Sequence, residues 1–187
     1  MDVAWGNAGE DHGAVAALVY DLLSTHVYQR GLQSRFLDVV RDGWSWMSTE
    51  IADFLAGKGA EIVGGAAEAE TDGTLILVGH DSDLDGLGVM FGLEWNPAPF
   101  PANATVPNSA LRFDFDDESN DVSVSYLYTT FESAAPTLRS APAAFTWVDD
   151  SADAGAVGID ALQKRIASVR NEACVPGADE GVAVAVM

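Results

Sequence analysis

Three rhythms of hydrophobic and polar residues run along this chain, and each predicts an element. From Gly13 to about His26, Val15, Leu18, Val19, Leu22 and Leu23 recur at helical spacing. Gln29-Arg-Gly31 reads as a break. A second helical pattern runs from about Leu32 to Ala56, with Val40, Trp44, Met47, Ile51 and Leu55 on its apolar side, as one helix or as two joined near Gly43. Residues 57–72 are rich in Gly, Ala and Glu and predict a loose connector. Thr74-Leu-Ile-Leu-Val78 is apolar and β-prone without polar alternation, which predicts a central strand buried on both faces. Ser82, with Asp85 in the capping-box position, then opens a helix with Leu84, Leu87, Val89 and Met90 on its apolar side; Gly86, Gly88 and Gly92 weaken it. Four prolines make residues 92–108 a loop. Leu111–Phe115 and Val122–Thr130 alternate apolar with polar residues around a turn at 116–120, which predicts an antiparallel hairpin, 111–130, at a sheet edge. Residues 132–158 read as mostly irregular, and Ile159 to about Cys174 as a last helix carrying Leu162, Ile166 and Val169. The expectation is one α/β piece: helical 13–56, connector 57–72, an α/β part 73–176, and a loose tail 177–187.

The length, 187 residues, suits one domain. Charge narrows the partners. With 29 Asp and Glu against 9 Lys and Arg, the net charge is −20, so the chain has little with which to neutralise nucleic-acid phosphates or an anionic membrane. No apolar run approaches the ~20 residues of a membrane span. The opening Met1-Asp-Val-Ala-Trp-Gly lacks the basic start and apolar core of a signal peptide. Cys174 is the single cysteine, so no internal disulfide forms.

Chemistry concentrates where the apolar run ends. Ligands in open α/β sheets bind beyond the carboxyl ends of strands, and a helix start there offers free N–H groups to an anion. His80 and Asp81 stand at that spot. Three readings compete for the turn. Asp81, Asp83, Asp85 and Gly86 match the opening of a calcium loop, but the twelfth position is Gly92 instead of Glu. Asp83-Leu-Asp-Gly86 is similar to the nucleophile motif of haloacid-dehalogenase-type phosphatases, but Leu87 stands where that family has Thr. The third reading takes His80-Asp81 as the reactive pair. Against all three stands a plain structural role, with His80 bonded to backbone and Asp81 placed by the helix dipole.

A wider pattern favours the third. Val78-Gly-His-Asp-Ser-Asp-Leu-Asp-Gly-Leu resembles the His-Asp motif of the histidine acid phosphatases, in the branch of phytases and glucose-1-phosphatase. Gly92-Leu-Glu-Trp95, Pro101 to Pro107 followed by Ala110–Phe115, Val122–Thr129, and Val169-Arg-Asn-Glu-Ala-Cys-Val-Pro176 resemble the pieces that follow in that family, in order. Upstream, Trp5-Gly6 and Gln33–Asp38 resemble the segment before the motif. The similarity spans most of residues 4–176. Asp83 replaces the usual Asn, and Asn108-Ser109 the usual Gly-Gly.

The resemblance implies the C-terminal part of a three-layer histidine-phosphatase fold, with 74–78 central. It implies Asp81 as proton donor to the leaving alcohol, His80 as a phosphate contact, and His80 and Ser82 as substrate-binding residues. It implies no metal and no cofactor, a small phosphorylated substrate, and a secreted or lumenal location. The family's nucleophile is a histidine in an Arg-His-Gly-x-Arg-x-Pro motif, and nothing in this sequence matches it. Asp11-His12-Gly13 has the His-Gly pair without the arginines. General acid catalysis supplies only ~10²–10⁴ of the rate, so this chain is expected to be inactive without a missing N-terminal half. The alternative is a non-catalytic phosphate-binding or protein-interaction domain derived from that fold.

Overall fold

The structure is a computed structural model that describes residues 12–58, 73–130, 137–148 and 155–175. Trp5-Gly6, connector residues 59–72 and the tail 177–187 lie outside the described residues. The elements run α1 (His12–Ser34), α2 (Leu37–Leu55), α3 (Asp81–Phe91), β1 (Leu93–Trp95), β2 (Ala110–Asp116), β3 (Asp121–Thr130), β4 (Thr137–Phe145), β5 (Ala156–Gly158) and α4 (Ile159–Val169), closing on a 3-10 turn, Glu172–Cys174.

The sheet is antiparallel throughout. Its order is β1-β4-β3-β2, with β5 also pairing β3. β3 is the spine, and its alternation sorts its side chains cleanly. Val122, Val124, Tyr126, Tyr128 and Thr130 are buried, while Ser123, Ser125, Leu127 and Thr129 on the other face are half-buried. The buried face meets Phe91 and Met90 of α3 and Leu162 and Ile166 of α4 in one core, which also takes Val40, Ile51 and Ala52 from α2. Tyr126 stacks on Trp95 at 5.1 Å, and its hydroxyl accepts from Val106 N at 2.9 Å. Tyr128 donates to Ala98 O at 2.8 Å. These contacts fasten the proline-rich loop to the sheet. Ser45 Oγ accepts from Asn171 N at 2.7 Å and pins the chain after α4 to α2.

Several expectations change. α1 runs through Gln29-Arg-Gly31 without a break, since one Gly costs a helix only about 1 kcal/mol. The turn comes at Arg35-Phe36, where Arg35 leaves the helix to reach Leu93 O and Asn103 O. α2 is a single helix across Gly43. Residues 137–145 and 156–158, expected as irregular, are strands. The hairpin forms with β2 at the sheet edge and β3 inside it.

The largest correction concerns Thr74–Val78. The segment forms no strand, and Ile76 and Val78 are 79% and 97% exposed. An apolar run becomes a buried strand only when neighbouring strands take its N–H and C=O groups and layers cover its faces. Among the described residues it has neither.

Candidate active site

The 73–80 segment still delivers His80 and Asp81 to a helix start. His80, not Ser82, is the N-cap of α3 and sits exposed with extended backbone (φ −102°, ψ 172°). Asp83, not Asp85, closes the capping box. Its Oδ2 accepts from His80 N at 2.6 Å and its Oδ1 from Trp44 Nε1 at 3.2 Å. Trp44 reaches α3 because Gly86 has no Cβ; a methyl there would overlap the indole ring. Gly92 ends the helix in the left-handed region (φ 65°). The glycines that weaken α3 by propensity are therefore the ones its packing and its end require.

Asp81 opens the helix with both carboxyl oxygens engaged. Oδ1 accepts from Ser82 N at 2.8 Å, and Oδ2 accepts from Arg30 Nη1 at 2.9 Å. His26 Nε2 stands 3.9 Å from Oδ2, and His26 and Asp81 are each 43% exposed, so the pair faces solvent. One turn on, Asp85 lies on the same side of the helix and is buried. Its Oδ2 accepts from Arg30 Nε at 2.5 Å, and Arg35 Nη1 lies 3.8 Å from Oδ1. Burial pushes the Asp85 carboxyl above its ordinary 3.8; the two arginines recover part of that shift. Burial also lowers Arg35, with Asp85 and Glu94 opposing. Arg30 thus bridges an exposed carboxylate and a buried one. Its Nη2 is buried without a hydrogen-bond partner among the described residues.

The structure brings together His80, Asp81 and Ser82 as the sequence suggests. It adds Arg30, His26, Asp85 and Trp44, which the sequence reading left in a helix break, at the surface, in a capping box and in the core. A signal existed: Asp81 and Asp85 are four apart, so one helix side carries two carboxylates, and such a pair asks for a cation. The calcium and haloacid readings both lose their residues. Asp81, Asp83 and Asp85 lie in helical turns, Asp81 and Asp85 sharing Arg30 while Asp83 takes His80 N and Trp44, and no cluster of three or more His, Cys, Asp or Glu able to hold a metal occurs among the described residues. No described helix is long and apolar enough to cross a membrane.

Solved structures share this fold. The Hafnia alvei phytase, determined with tartrate, superposes with a TM-score of 0.69 at 23% identity over 84% of this chain. This chain has a phytase fold. The same enzyme with myo-inositol hexakis sulphate gives 0.67 at 22% identity, and the Citrobacter braakii phytase 0.58 at 21%. The match covers 41–42% of those phytase chains, so this chain spans less than half their length. No family model and no curated sequence matches it. These two phytases are histidine acid phosphatases, so the shared fold agrees with the motif resemblance and with a C-terminal part of that architecture.

Proposed function

We propose that this chain is the C-terminal part of a phosphomonoester hydrolase of the histidine acid phosphatase type, with inositol phosphates such as phytate as its substrate class. The observation that carries this reading is the His80-Asp81 pair at the exposed start of α3, inside a fold shared with phytases. A histidine from the complementary part attacks phosphorus. As the P–O bond breaks, Asp81 gives its proton to the leaving oxygen. The resulting carboxylate then takes a proton from the water that cleaves the phosphohistidine, which restores both groups. His80 donates a hydrogen bond to a phosphate oxygen, and Ser82 lines the same subsite.

The Arg30–Asp81 contact fits this role in one respect and strains it in another. It fixes the carboxylate where a substrate can meet it, yet it also satisfies the charge that must leave for Asp81 to hold a proton. A phosphate dianion resolves the conflict. It competes for Arg30 and favours the neutral acid beside it. The test is turnover of a phosphomonoester near pH 5 by this chain together with the complementary part of the domain. Substituting Asp81→Asn should lower turnover about 10²–10⁴-fold.

The net charge of −20 favours a second reading, a non-catalytic phosphate-binding or interaction domain. Phosphate binding without Asp81-dependent turnover in the complemented protein would select it.

A further inference from the structure

Asp85 is a buried ionisable group that the proposed reaction leaves unused. It is 1% exposed, on a helix whose Leu87, Met90 and Phe91 join the hydrophobic core. A carboxylate is almost never buried there without a partner. Apolar side chains of similar volume, put in place of such a buried pair, are often as stable or more so. Stability alone therefore does not account for Asp85; what it holds does.

It holds Arg30. A guanidinium is a rigid planar fork, so fixing one edge aims the other. Arg30 Nε donates to Asp85 Oδ2 at 2.5 Å, and Nη1 donates to Asp81 Oδ2 at 2.9 Å. The packing of α1 does little to aim this fork, since Leu18, Leu22 and Leu32 on that helix are more than half exposed. Asp85 is itself fixed from the core side. Arg35 Nη1 lies 3.8 Å from Asp85 Oδ1. Arg35 in turn donates to Leu93 O at 3.2 Å and Asn103 O at 3.3 Å, and its guanidinium lies 4.9 Å from the Trp95 ring centre. A line of contacts thus runs from β1 and the proline-rich loop through Arg35, Asp85 and Arg30 to Asp81. His26, 3.9 Å from Asp81, is too far for a hydrogen bond. Arg30 is then the one side chain hydrogen-bonded to Asp81 among the described residues.

We propose that Asp85 is a positioning residue for Asp81: its buried carboxylate seats the Nε edge of Arg30, and the seated guanidinium holds Asp81 where it meets a leaving oxygen. Asp85 itself touches no substrate, so its effect passes through Arg30. This rests on the phosphatase reading for what Asp81 does, and on contacts within this chain for how Asp81 is held.

Nuclear magnetic resonance on the chain itself reads the seating. The Arg30 Nε–H signal is assigned by its loss in Arg30→Lys. Asp81→Asn should leave the exchange rate of that proton within about twofold, because Asp85 does the seating. Asp85→Asn should speed it at least about tenfold, since a hydrogen bond to a charged group is lost. It should also abolish the Overhauser contact between the Arg30 and Asp81 side chains. Asp85→Leu, which leaves no polar group at that buried position, takes its place if the urea midpoint shows that Asp85→Asn does not fold. An unchanged Arg30 exchange rate in the Asp85 variant, a persisting Arg30–Asp81 contact, or faster exchange in Asp81→Asn overturns the proposal.

Turnover separates positioning from plain packing. In the chain completed by its complementary part, Asp85→Asn should slow an alkyl phosphate about 10–10²-fold, the scale of a misplaced reacting group. p-Nitrophenyl phosphate, whose leaving group needs no proton, should be slowed far less. The double variant Asp81→Asn/Asp85→Asn should stay within about twofold of Asp81→Asn alone. Equal losses on both substrates, or losses that multiply in the double variant, mean that Asp85 supports the fold only, and overturn the proposal. If the completed chain shows no Asp81-dependent turnover, the phosphatase reading falls, and the resonance measurements still decide whether Asp85 seats Arg30 on Asp81.

Discussion

Arg30 is the residue whose removal tests the site's electrostatics most sharply. Arg30→Met keeps the aliphatic stem and deletes the charge. It leaves Asp85, 1% exposed, with only the 3.8 Å contact to Arg35. Breaking a buried pair by removing one partner costs about 3–5 kcal/mol, a fifth or more of the ~5–15 kcal/mol that holds a domain together. The cost must depend on pH, and its sign follows from Asp85. Burial holds that carboxyl above its ordinary 3.8, so the folded state binds its proton more tightly than the unfolded one. Its contribution to stability is complete below 3.8 and is lost as pH rises through the folded value. Arg30 works against this rise; without it the pKa climbs further and the window widens. Urea unfolding followed by tryptophan fluorescence should show a loss of about 3–5 kcal/mol at pH 7.5 that shrinks to about 1 kcal/mol, the worth of ordinary hydrogen bonds, near pH 3.5. A loss under about 1 kcal/mol at pH 7.5, or one equal at both pH values, would refute the bridging role.

Three further outcomes follow from the same geometry. Gly86→Ala forces its methyl into the Trp44 ring, so it should cost about 1–3 kcal/mol in urea unfolding and red-shift the tryptophan emission as Trp44 leaves Asp83. Tyr126→Phe leaves the Val106 N–H without its acceptor and should cost about 1–3 kcal/mol, whereas a loss near zero would mean the loop is held otherwise. Val78→Ser should change stability by less than about 0.5 kcal/mol, the range of exposed positions. A loss of about 1.5 kcal/mol or more, as for a buried Val, would mean that 74–78 is already packed in this chain.

Much of the fold was legible in short-range pattern. The strict alternation of 122–130 required one buried face, and β3 has it. Leu162, Ile166 and Val169 marked the face of α4 and are all buried. What failed was long-range. Thr74–Val78 reads correctly as a segment able to form a buried strand, but strand formation is a property of neighbours, and none is present among the described residues. β4 was missed because Thr137–Phe145 carries Pro142 and small alanines instead of a β-prone alternation; β3 and β1 on either side impose the strand. At the candidate site, order along the chain pointed to His80-Asp81, the pair proposed here. Arg30 escaped because it lies 51 residues from Asp81, and only the packing of α1 near α3 brings them to 2.9 Å.

The central claim is that Asp81 delivers the leaving-group proton, and leaving-group dependence tests it most directly. In the chain completed by its complementary part, Asp81→Asn should slow hydrolysis of alkyl phosphates by about 10²–10⁴-fold, because a poor leaving alkoxide needs the proton. The same variant should slow p-nitrophenyl phosphate far less, since that phenolate departs without help. Equal losses on both substrates, or no loss on either, would contradict a proton-donor role for Asp81 and leave the His80-Asp81 pair as a helix start alone.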